Sequence, residues 1–257
     1  MEKPTISLVI PMFNEEANIE HALAYAIDAL SQHARDYEIV IVDDASTDES
    51  PEIVRRAVGG NPKIRLIRHE FNQKLGASLR TGFSAARNEL ILYMDADLPF
   101  DPDILGRAIR AMNVTRADLI SGYRFDRTTE GLRRTVYTIV YNWLIRALFR
   151  IYIRDINFSF KLMRREVLQT IQLRSEGSLI DAELIVKARN HGFFIQQIGL
   201  DYFPRVLGTS HLSGLDVIAK IFRELITLYP EMRKRHVRSD GQAPSPVQDS
   251  RERLSST

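Results

Sequence analysis

The sequence predicts an α/β fold built around a mainly parallel sheet. Short apolar runs alternate with segments of helical periodicity along the first half of the chain, which is the pattern of successive βα units. The chain has 257 residues, 44% of them hydrophobic, so it is long enough to bury a full core. The run at 90–94 is apolar throughout, as expected of a strand that is covered on both faces of a parallel sheet.

The predicted elements follow one another in a regular order. Strands are expected where short apolar runs occur, at 6–10, 38–42, 64–68, 90–94, 119–122, 158–164 and 194–198. Helices are expected where apolar residues recur with helical spacing, at 15–30, 50–58, 75–86, 103–112, 165–170 and 181–190, the last closed by Gly192. One domain is expected over residues 1–236. The polar stretch 237–257 lacks periodicity and is expected to be a disordered tail.

Composition excludes several classes of protein. There are no cysteines, which removes disulfides, thiolate metal sites and cysteine nucleophiles. The formal net charge of +2 gives no support for a nucleic-acid partner. Neither the P-loop pattern nor the dinucleotide-binding glycine pattern follows the first predicted strand. The amino terminus has too short an apolar run for a secretory signal, so a cytoplasmic location is the expectation.

The segment 124–154 is both basic and apolar. It holds seven arginines against two acidic residues, together with Trp143 and several other aromatic residues. Its longest apolar stretch, 136–145, falls short of the roughly 20 residues that span a bilayer. Two interpretations remain open: an amphipathic helix packed on its own domain, or a helix that lies on an anionic membrane surface.

Polar or acidic loops follow three of the predicted strands. Because the carboxyl ends of parallel strands meet at one edge of a sheet, these loops are expected to line a single crevice. They are the segments 11–15, 43–48 and 95–103.

Some of the polar residues in these loops have a simpler explanation as helix caps. Asn14 and Asp101 each precede a predicted helix, as does Ser46 or Asp48, and these residues are candidate N-caps. Capping does not account for Asp43 or Asp95, because each directly follows a strand. These two carboxylates therefore indicate a bound ligand.

The acidic run that contains Asp95 and Asp97 indicates a divalent cation. Two carboxylates at one strand end repel each other unless a cation or hydrogen-bond donors offset their charge. Hard oxygen ligands of this kind suit Mg²⁺ or Mn²⁺, and a diphosphate would complete the shell of such a metal. The metal would then replace the missing phosphate-binding loop.

Four motifs in order carry a family resemblance: SLVIPMFNEEANIE, IVIVDDASTDES, HEFNQKLGASLRTGFSAARNELILYMDADL and LISGYR. The set resembles family 2 glycosyltransferases of the GT-A fold, most closely the branch of dolichyl-phosphate mannosyltransferase and bacterial polyprenyl-phosphate sugar transferases. The resemblance covers about residues 5–215. It implies a Rossmann-like, three-layer αβα fold. It also implies metal-dependent, inverting transfer of a hexose from GDP-mannose or a UDP-hexose to a polyprenyl phosphate, with contact to a membrane surface.

The same resemblance implies roles for individual residues. It places the nucleoside against Pro11, Glu15, Asp43 and Asp44. It assigns the ribose and the metal to Asp95 and Asp97, and a phosphate to Arg124 with Arg133 or Arg134. Gly76 and Gly82 would allow close packing near the nucleotide. The motifs DINFSFKLMRREVL and PRVLGTSHL would bring Asp155, Lys161, Arg205, Ser210 and His211 to the site, with Asp97, Arg124 and Asp155 directly involved in catalysis.

Departures from the family pattern leave the acceptor open. Pro99 stands where the lipid-phosphate branch usually has a glutamine ligand, and Phe160 and His211 also differ from the usual residues. A hydroxyl acceptor would need a carboxylate base, for which Asp155 or Glu183 are the candidates. A phosphate acceptor needs none, because its second pKa is about 6. A catalytically silent nucleotide-binding protein is a further alternative, and a dinucleotide oxidoreductase is disfavoured.

The histidines other than His211 show no ligand spacing. They are expected to lie at the surface or at helix ends. They are His21, His33, His69, His191 and His236.

Overall fold

A sheet between two layers of helices organises the chain, which confirms the predicted α/β class. The computed structural model describes residues 2–97, 102–125, 132–200 and 215–235. Within these ranges the strands are β1 (Thr5–Met12), β2 (Asp36–Asp43), β3 (Ile64–Arg68), β4 (Leu90–Tyr93), β5 (Leu119–Arg124), β6 (Lys161–Arg164) and β7 (Ile195–Leu200). The helices are α1 (Ile19–His33), α2 (Ser50–Gly60), α3 (Lys74–Ala85), α4 (Pro102–Thr115), α5 (Leu132–Phe149), α6 (Arg165–Thr170), α7 (Ile180–Asn190) and α8 (Leu215–Met232).

The strand order places the predicted site loops side by side. The order is β3-β2-β1-β4-β6-β5-β7, and neighbouring strands are parallel except that β6 runs antiparallel to both β4 and β5. In register, Met12 lies opposite Asp43 and Val9 lies opposite Tyr93. The carboxyl ends of β2, β1 and β4 therefore meet at one edge, as predicted.

Each face of the sheet is covered by its own hydrophobic core. On one face, β1 residues such as Ile6 and Leu8 pack with α1, α2 and α4. On the other face, Val9, Ile91 and Tyr93 pack with α3, α6 and α7. Alternate residues of one strand thus enter opposite layers, as the two-residue side-chain repeat of a strand requires. Burial on both faces explains why β4 is apolar at every position.

A third core joins α5, α7 and α8. Ile145 and Phe149 of α5 and Leu225 of α8 pack with the outer side of α7. The rings of Phe149 and Tyr229 lie 5.4 Å apart, so α5 and α8 are direct neighbours. Among the described helices, none combines the length and the apolar character needed to cross a membrane.

The start of α1 differs from the prediction because Asn14 does not cap it. The helix begins at Ile19, and Asn14 adopts a φ of 55°, which keeps it in the loop after β1. Asp48 does act near a helix start, since its Oδ1 accepts the N–H of Ser50 at 3.0 Å. Asp101 lies outside the described residues.

Gly76 and Gly82 occupy points of close approach in α3, as expected. A Cβ on Gly82 would overlap the Val9 side chain, so this glycine lets the helix lie directly on β1. A Cβ on Gly76 would overlap the carbonyl oxygen of Ser175, while the Gly76 N–H donates to Glu176 O at 2.8 Å. Gly76 therefore joins the start of α3 to the loop before α7.

Replacing Gly76 by alanine is expected to lower the free energy of unfolding by about 1–3 kcal/mol, the usual cost of overpacking. The added methyl group meets backbone, which cannot turn aside as a side chain can. Urea denaturation measures the effect. Gly59→Ala is the matched control, because that helical position faces open space, and it should be neutral or slightly stabilising. Equal effects of the two substitutions on the free energy of unfolding would contradict the close packing assigned to Gly76.

Candidate active site

The loops after β1 and β2 are locked together by hydrogen bonds. The N–H of Asn14 donates to Ser46 Oγ at 3.0 Å, and Asn14 Oδ1 accepts the N–H of Thr47 at 2.9 Å. The N–H of Glu15 donates to Ser50 Oγ at 2.8 Å. These contacts form one rigid wall of the crevice from two segments that the sequence separates.

Asp43 shapes the end of β2. Its carboxylate is buried, and Oδ1 accepts the N–H of Ser46 at 2.9 Å while Oδ2 lies 3.0 Å from Arg68 Nε. Pro11 is buried beside it, opposite Val42 in the neighbouring strand. Asp43 thus holds the turn that presents the following residues to the crevice.

Asp44 orders the loop that leads into α3. Its carboxylate accepts the N–H of Gln73 at 2.8 Å and that of Lys74 at 2.7 Å. His69 Nδ1 lies 2.7 Å from Asp44 Oδ1, and its Nε2 lies 3.0 Å from Thr81 Oγ1. The expectation that His69 is a surface residue is wrong, because its ring is almost fully buried between these two partners. The sequence offered no spacing that would reveal this contact.

Asp95 and Asp97 lie half-buried in the turn that follows β4. The Tyr93 hydroxyl donates to Asp95 Oδ1 at 3.2 Å. Burial raises the pKa of Tyr93 well above its ordinary value, and the negative charges of Asp181, Asp95 and Asp97 raise it further. The turn therefore lies in a strongly negative local field.

Arg124 and Asp155 form a buried ion pair at the end of β5. Arg124 Nε lies 3.1 Å from Asp155 Oδ2, and the guanidinium lies 5.2 Å from the centre of the Phe158 ring. The Arg124 side chain is 9% exposed and that of Asp155 is fully buried. The structure thus brings together two of the three residues predicted for catalysis, and Asp155 orients Arg124.

Lys161 and Asp181 form a second buried pair in the middle of the sheet. Lys161 lies opposite Tyr93 in the register of β4 and β6. Its Nζ is 2.5 Å from Asp181 Oδ1 and donates to Phe158 O at 2.7 Å. Burial raises the pKa of Asp181 to about 6; Lys161 opposes this shift, whereas Asp95 and Asp155 add to it. Lys161 is an internal counter-ion, and its partner Asp181 was missed because it was assigned only to the start of a helix.

The charges around this crevice fit a hard divalent cation. Asp95 and Asp155 raise the pKa of Asp181, and Asp95 and Asp97 raise that of Tyr93. Two cations pair with two of these four carboxylates, which leaves an excess of negative charge. In the part of the chain that the structure describes, no cluster of three or more His, Asp or Glu side chains could hold a metal. Two protein carboxylates with diphosphate and water oxygens are consistent with how Mg²⁺ is usually bound. The four carboxylates are Asp95, Asp97, Asp155 and Asp181, and the cations are Arg124 and Lys161.

Several predicted site residues have no described side chain. Arg133 and Arg134 lie in the first turn of α5, where only the backbone is described. The others fall outside the described ranges; they are Pro99, Asp101, Arg205, Ser210 and His211.

Glu183, a candidate base, has a structural role. Its carboxylate is fully buried and accepts the N–H groups of Arg174 and Ser175 at 2.8–3.0 Å. Lys187 Nζ lies 2.7 Å from Glu183 Oε1 and also pairs with Glu231 at 2.5 Å. Glu183 therefore anchors the loop before α7, the same loop that Gly76 contacts.

Replacing Glu183 by alanine is expected to reduce the free energy of unfolding by about 3–5 kcal/mol, as when one partner of a buried ion pair is removed. Two buried N–H groups would also lose their acceptor. Urea denaturation tests this, with Glu176→Ala, an exposed glutamate of the same loop, as the control. Loss of activity at unchanged stability would instead make Glu183 the base.

An α/β fold with an acidic crevice at the carboxyl ends of parallel strands is the architecture of a nucleotide-binding enzyme. The family model for glycosyl transferase family 2 matches residues 7–172 of this chain. The chain therefore belongs to glycosyl transferase family 2, as its motifs predict.

Similar proteins include glycosyltransferases, one of which is named for a dodecaprenyl phosphate. The glycosyltransferase AglD of Haloferax volcanii is 28% identical over 207 residues, which cover 78% of this chain and 33% of that protein. A dodecaprenyl-phosphate galacturonate synthase of Rhizobium johnstonii is 28% identical over 172 residues, covering 66% of this chain and 51% of that protein. The chain thus spans between a third and about half of these curated relatives.

Solved structures confirm the fold. Glucosyl-3-phosphoglycerate synthase of Mycobacterium tuberculosis, in complex with Mn²⁺, uridine-diphosphate-glucose and phosphoglyceric acid, superposes with a TM-score of 0.68. The match covers 91% of this chain and 81% of that chain at 20% identity. The likeness confirms the expected three-layer GT-A arrangement.

Proposed function

We propose that this chain is an inverting glycosyltransferase that moves a hexose from a nucleotide diphosphate sugar to a polyprenyl phosphate. One observation carries the proposal: Asp95 and Asp97 lie between the locked loops of β1 and β2 on one side and the Arg124–Asp155 pair on the other. Family membership supports it, and so does the name of one curated relative, the dodecaprenyl-phosphate galacturonate synthase. Because those relatives are longer, the activity of the whole protein is part of the proposal.

The nucleoside would bind at the β1–β2 wall. Pro11 lies near the end of β1 and Glu15 in the loop that follows it, while Asp43 ends β2 and Asp44 begins the next loop. Asp43 and Asp44 already accept backbone N–H groups, so their main contribution is to hold the wall in shape before the donor arrives. Such preorganisation lowers the ordering cost of binding.

Asp95 and Asp97 would hold Mg²⁺ or Mn²⁺. When bound, the metal would neutralise the diphosphate that leaves. The choice between the two metals is part of this proposal, as is the choice between GDP-mannose and a UDP-hexose as donor.

The acceptor phosphate would bind at the arginine side of the crevice. An oxygen of the phosphate attacks the anomeric carbon as the bond from that carbon to the diphosphate oxygen breaks, and the nucleoside diphosphate leaves with the electron pair. Arg124 is held by Asp155 and would face this phosphate. By family resemblance, Arg133, Arg134, Arg205, Ser210 and His211 would complete the acceptor site. The acceptor would place the protein at the cytoplasmic face of a membrane.

Both candidate bases already have partners within the protein, which favours a phosphate acceptor over a hydroxyl acceptor. Asp155 is paired with Arg124, and Glu183 is buried in the loop network. A phosphate monoester is mostly dianionic near neutral pH because its second pKa is about 6, so it needs no base.

A donor and acceptor panel tests the proposal. GDP-mannose and several UDP-hexoses are incubated with Mn²⁺ or Mg²⁺ and a short, detergent-soluble polyprenyl phosphate, and nucleoside diphosphate release is measured. The matched control acceptor is the same polyprenol without its phosphate. Release that requires the phosphate, and stops with a chelator, is expected. Equal release with the free alcohol would overturn the acceptor assignment, and no release from any donor would overturn the enzyme assignment.

A further inference from the structure

Two neighbouring helices, α5 and α8, present large apolar side chains to solvent. On α5 these are Ile139, Val140 and Trp143, the last 67% exposed. On α8 they are Phe222 and Ile226, the latter 74% exposed. The spacings of three and four residues put the exposed groups of each helix on one side.

The two helices pack side by side, with the sides opposite the exposed ones in a shared core. The opposite sides of the helices, which carry Ile145, Phe149 and Leu225, are buried against α7. The Phe149 and Tyr229 rings, at 5.4 Å, join the carboxyl-terminal ends of the pair. Nearer the start, the negative charge of Glu224 on α8 reaches the Tyr141 hydroxyl of α5 and, after the larger effect of burial, contributes to raising its pKa. The helices therefore run side by side.

The exposed charged residues described for these two helices and for the segments that follow them are basic. Within the described side chains of 138–154 and 221–235, every exposed charged residue is basic. The two acidic residues of these segments are directed inwards: Glu224 accepts bonds from Ser175 Oγ at 2.9 Å and from the N–H of Gly177, and Glu231 pairs with Lys187. The exposed basic residues are Arg150, Arg154, Arg223, Arg233, Lys234 and Arg235.

We infer that the exposed side of α5 and α8 docks on the surface of an anionic lipid bilayer. Apolar groups enter the boundary between headgroups and acyl chains, while arginine and lysine side chains meet lipid phosphates. A second copy of the chain fits less well, because a symmetric contact would bring two basic surfaces together. The inference deepens the proposed function by naming the face that meets the membrane in which the acceptor lies. The biological purpose of this docking rests on the proposed function.

Trp143 supplies a direct probe, because it is the only tryptophan of the chain. The full chain is mixed with vesicles of phosphatidylcholine alone or with phosphatidylglycerol added, without donor or acceptor. Tryptophan emission and co-sedimentation are measured. With anionic vesicles, a shift of emission to shorter wavelength and quenching by bromine-labelled lipid are expected. High salt should weaken the binding.

Variants separate the apolar and charged contributions. The double change Phe222→Ser with Ile226→Ser leaves the reporter in place and should weaken vesicle binding by about tenfold or more. Arg223→Glu should weaken binding to anionic vesicles only. The matched control is Tyr25→Ser with Val114→Ser, two exposed apolar residues on α1 and α4, which should bind like the unaltered chain.

The outcomes distinguish this inference from the proposed function. Vesicle binding is measured without substrates, and sugar transfer is measured with the detergent-soluble acceptor. Transfer with no vesicle binding, or binding that the control pair weakens equally, overturns the docking inference and leaves the function intact. If light scattering without lipid shows a dimer, and the double change Phe222→Ser with Ile226→Ser dissociates it, the face binds a second copy of the chain. That result would also overturn the docking inference. Vesicle binding without sugar transfer would support docking and overturn the proposed function.

Discussion

Replacing Asp97 by alanine is expected to slow nucleoside diphosphate release by about a hundredfold to a thousandfold, as when one electrostatic stabiliser of a transition state is removed. Asp97 lies in the negative field that raises the pKa of Tyr93, and this field is suited to a divalent cation. Without the carboxylate, the metal would lose the ligand proposed for it, and the charge of the leaving diphosphate would be less fully offset. Initial rates at saturating Mn²⁺ measure the effect.

The control for this change is Asp28→Ala, which removes an exposed carboxylate of α1. It should leave the rate and the metal dependence unchanged. An Asp97→Ala chain that is folded and retains full metal-dependent turnover would show that the metal is held elsewhere.

Replacing Lys161 by methionine is expected to reduce the free energy of unfolding by about 3–5 kcal/mol at pH 7 and above, because it leaves the buried Asp181 carboxylate uncompensated. Both side chains are essentially inaccessible to solvent, so water cannot replace the lost partner. Denaturation in urea measures the loss. A variant as stable as the unaltered chain would contradict this role and return Lys161 to the substrate site.

The loss of stability in Lys161→Met should depend on pH in a defined direction. The pKa of Asp181 is about 6 in the folded chain against 3.8 ordinarily, so protonation stabilises the folded form at low pH, and this contribution is lost as the pH rises through about 6. Removing Lys161 raises the pKa further, because Lys161 opposes the effect of burial. The loss in Lys161→Met should therefore shrink as the pH falls through this raised pKa towards 6, and should stay constant below 6, where Asp181 is protonated in both chains. Adding Asp181→Leu should recover most of the stability, since neither charge is then buried.

Hydrophobic periodicity alone predicts most of the helices and strands, and it fails where tertiary contacts determine the structure. The strand predicted at 38–42 is the core of Asp36–Asp43, and the helix predicted at 181–190 is Ile180–Asn190. By contrast, α8 was not predicted, although its apolar residues recur with helical spacing. The antiparallel direction of β6 has no local signal, since it depends on which strands β6 joins.

The candidate site, too, could be predicted only in part from the sequence. The position of polar loops after parallel strands predicts the crevice and the place of Asp43 and Asp95 in it. Pairings across the fold, such as Asp44 with His69 or Lys161 with Asp181, depend on residues 20 or more positions apart. No sequence spacing encodes such contacts, so they became visible only in the folded structure.

The position of β6 also governs how the chain can be made. Strand β4 ends at Tyr93, but its second neighbour begins only at Lys161, so during synthesis one edge of the growing sheet has no partner until that segment emerges from the ribosome. Unpaired strand edges promote aggregation. A chain truncated between α5 and β6 should therefore aggregate, and the nucleotide-binding half should not be obtainable as a separate soluble fragment.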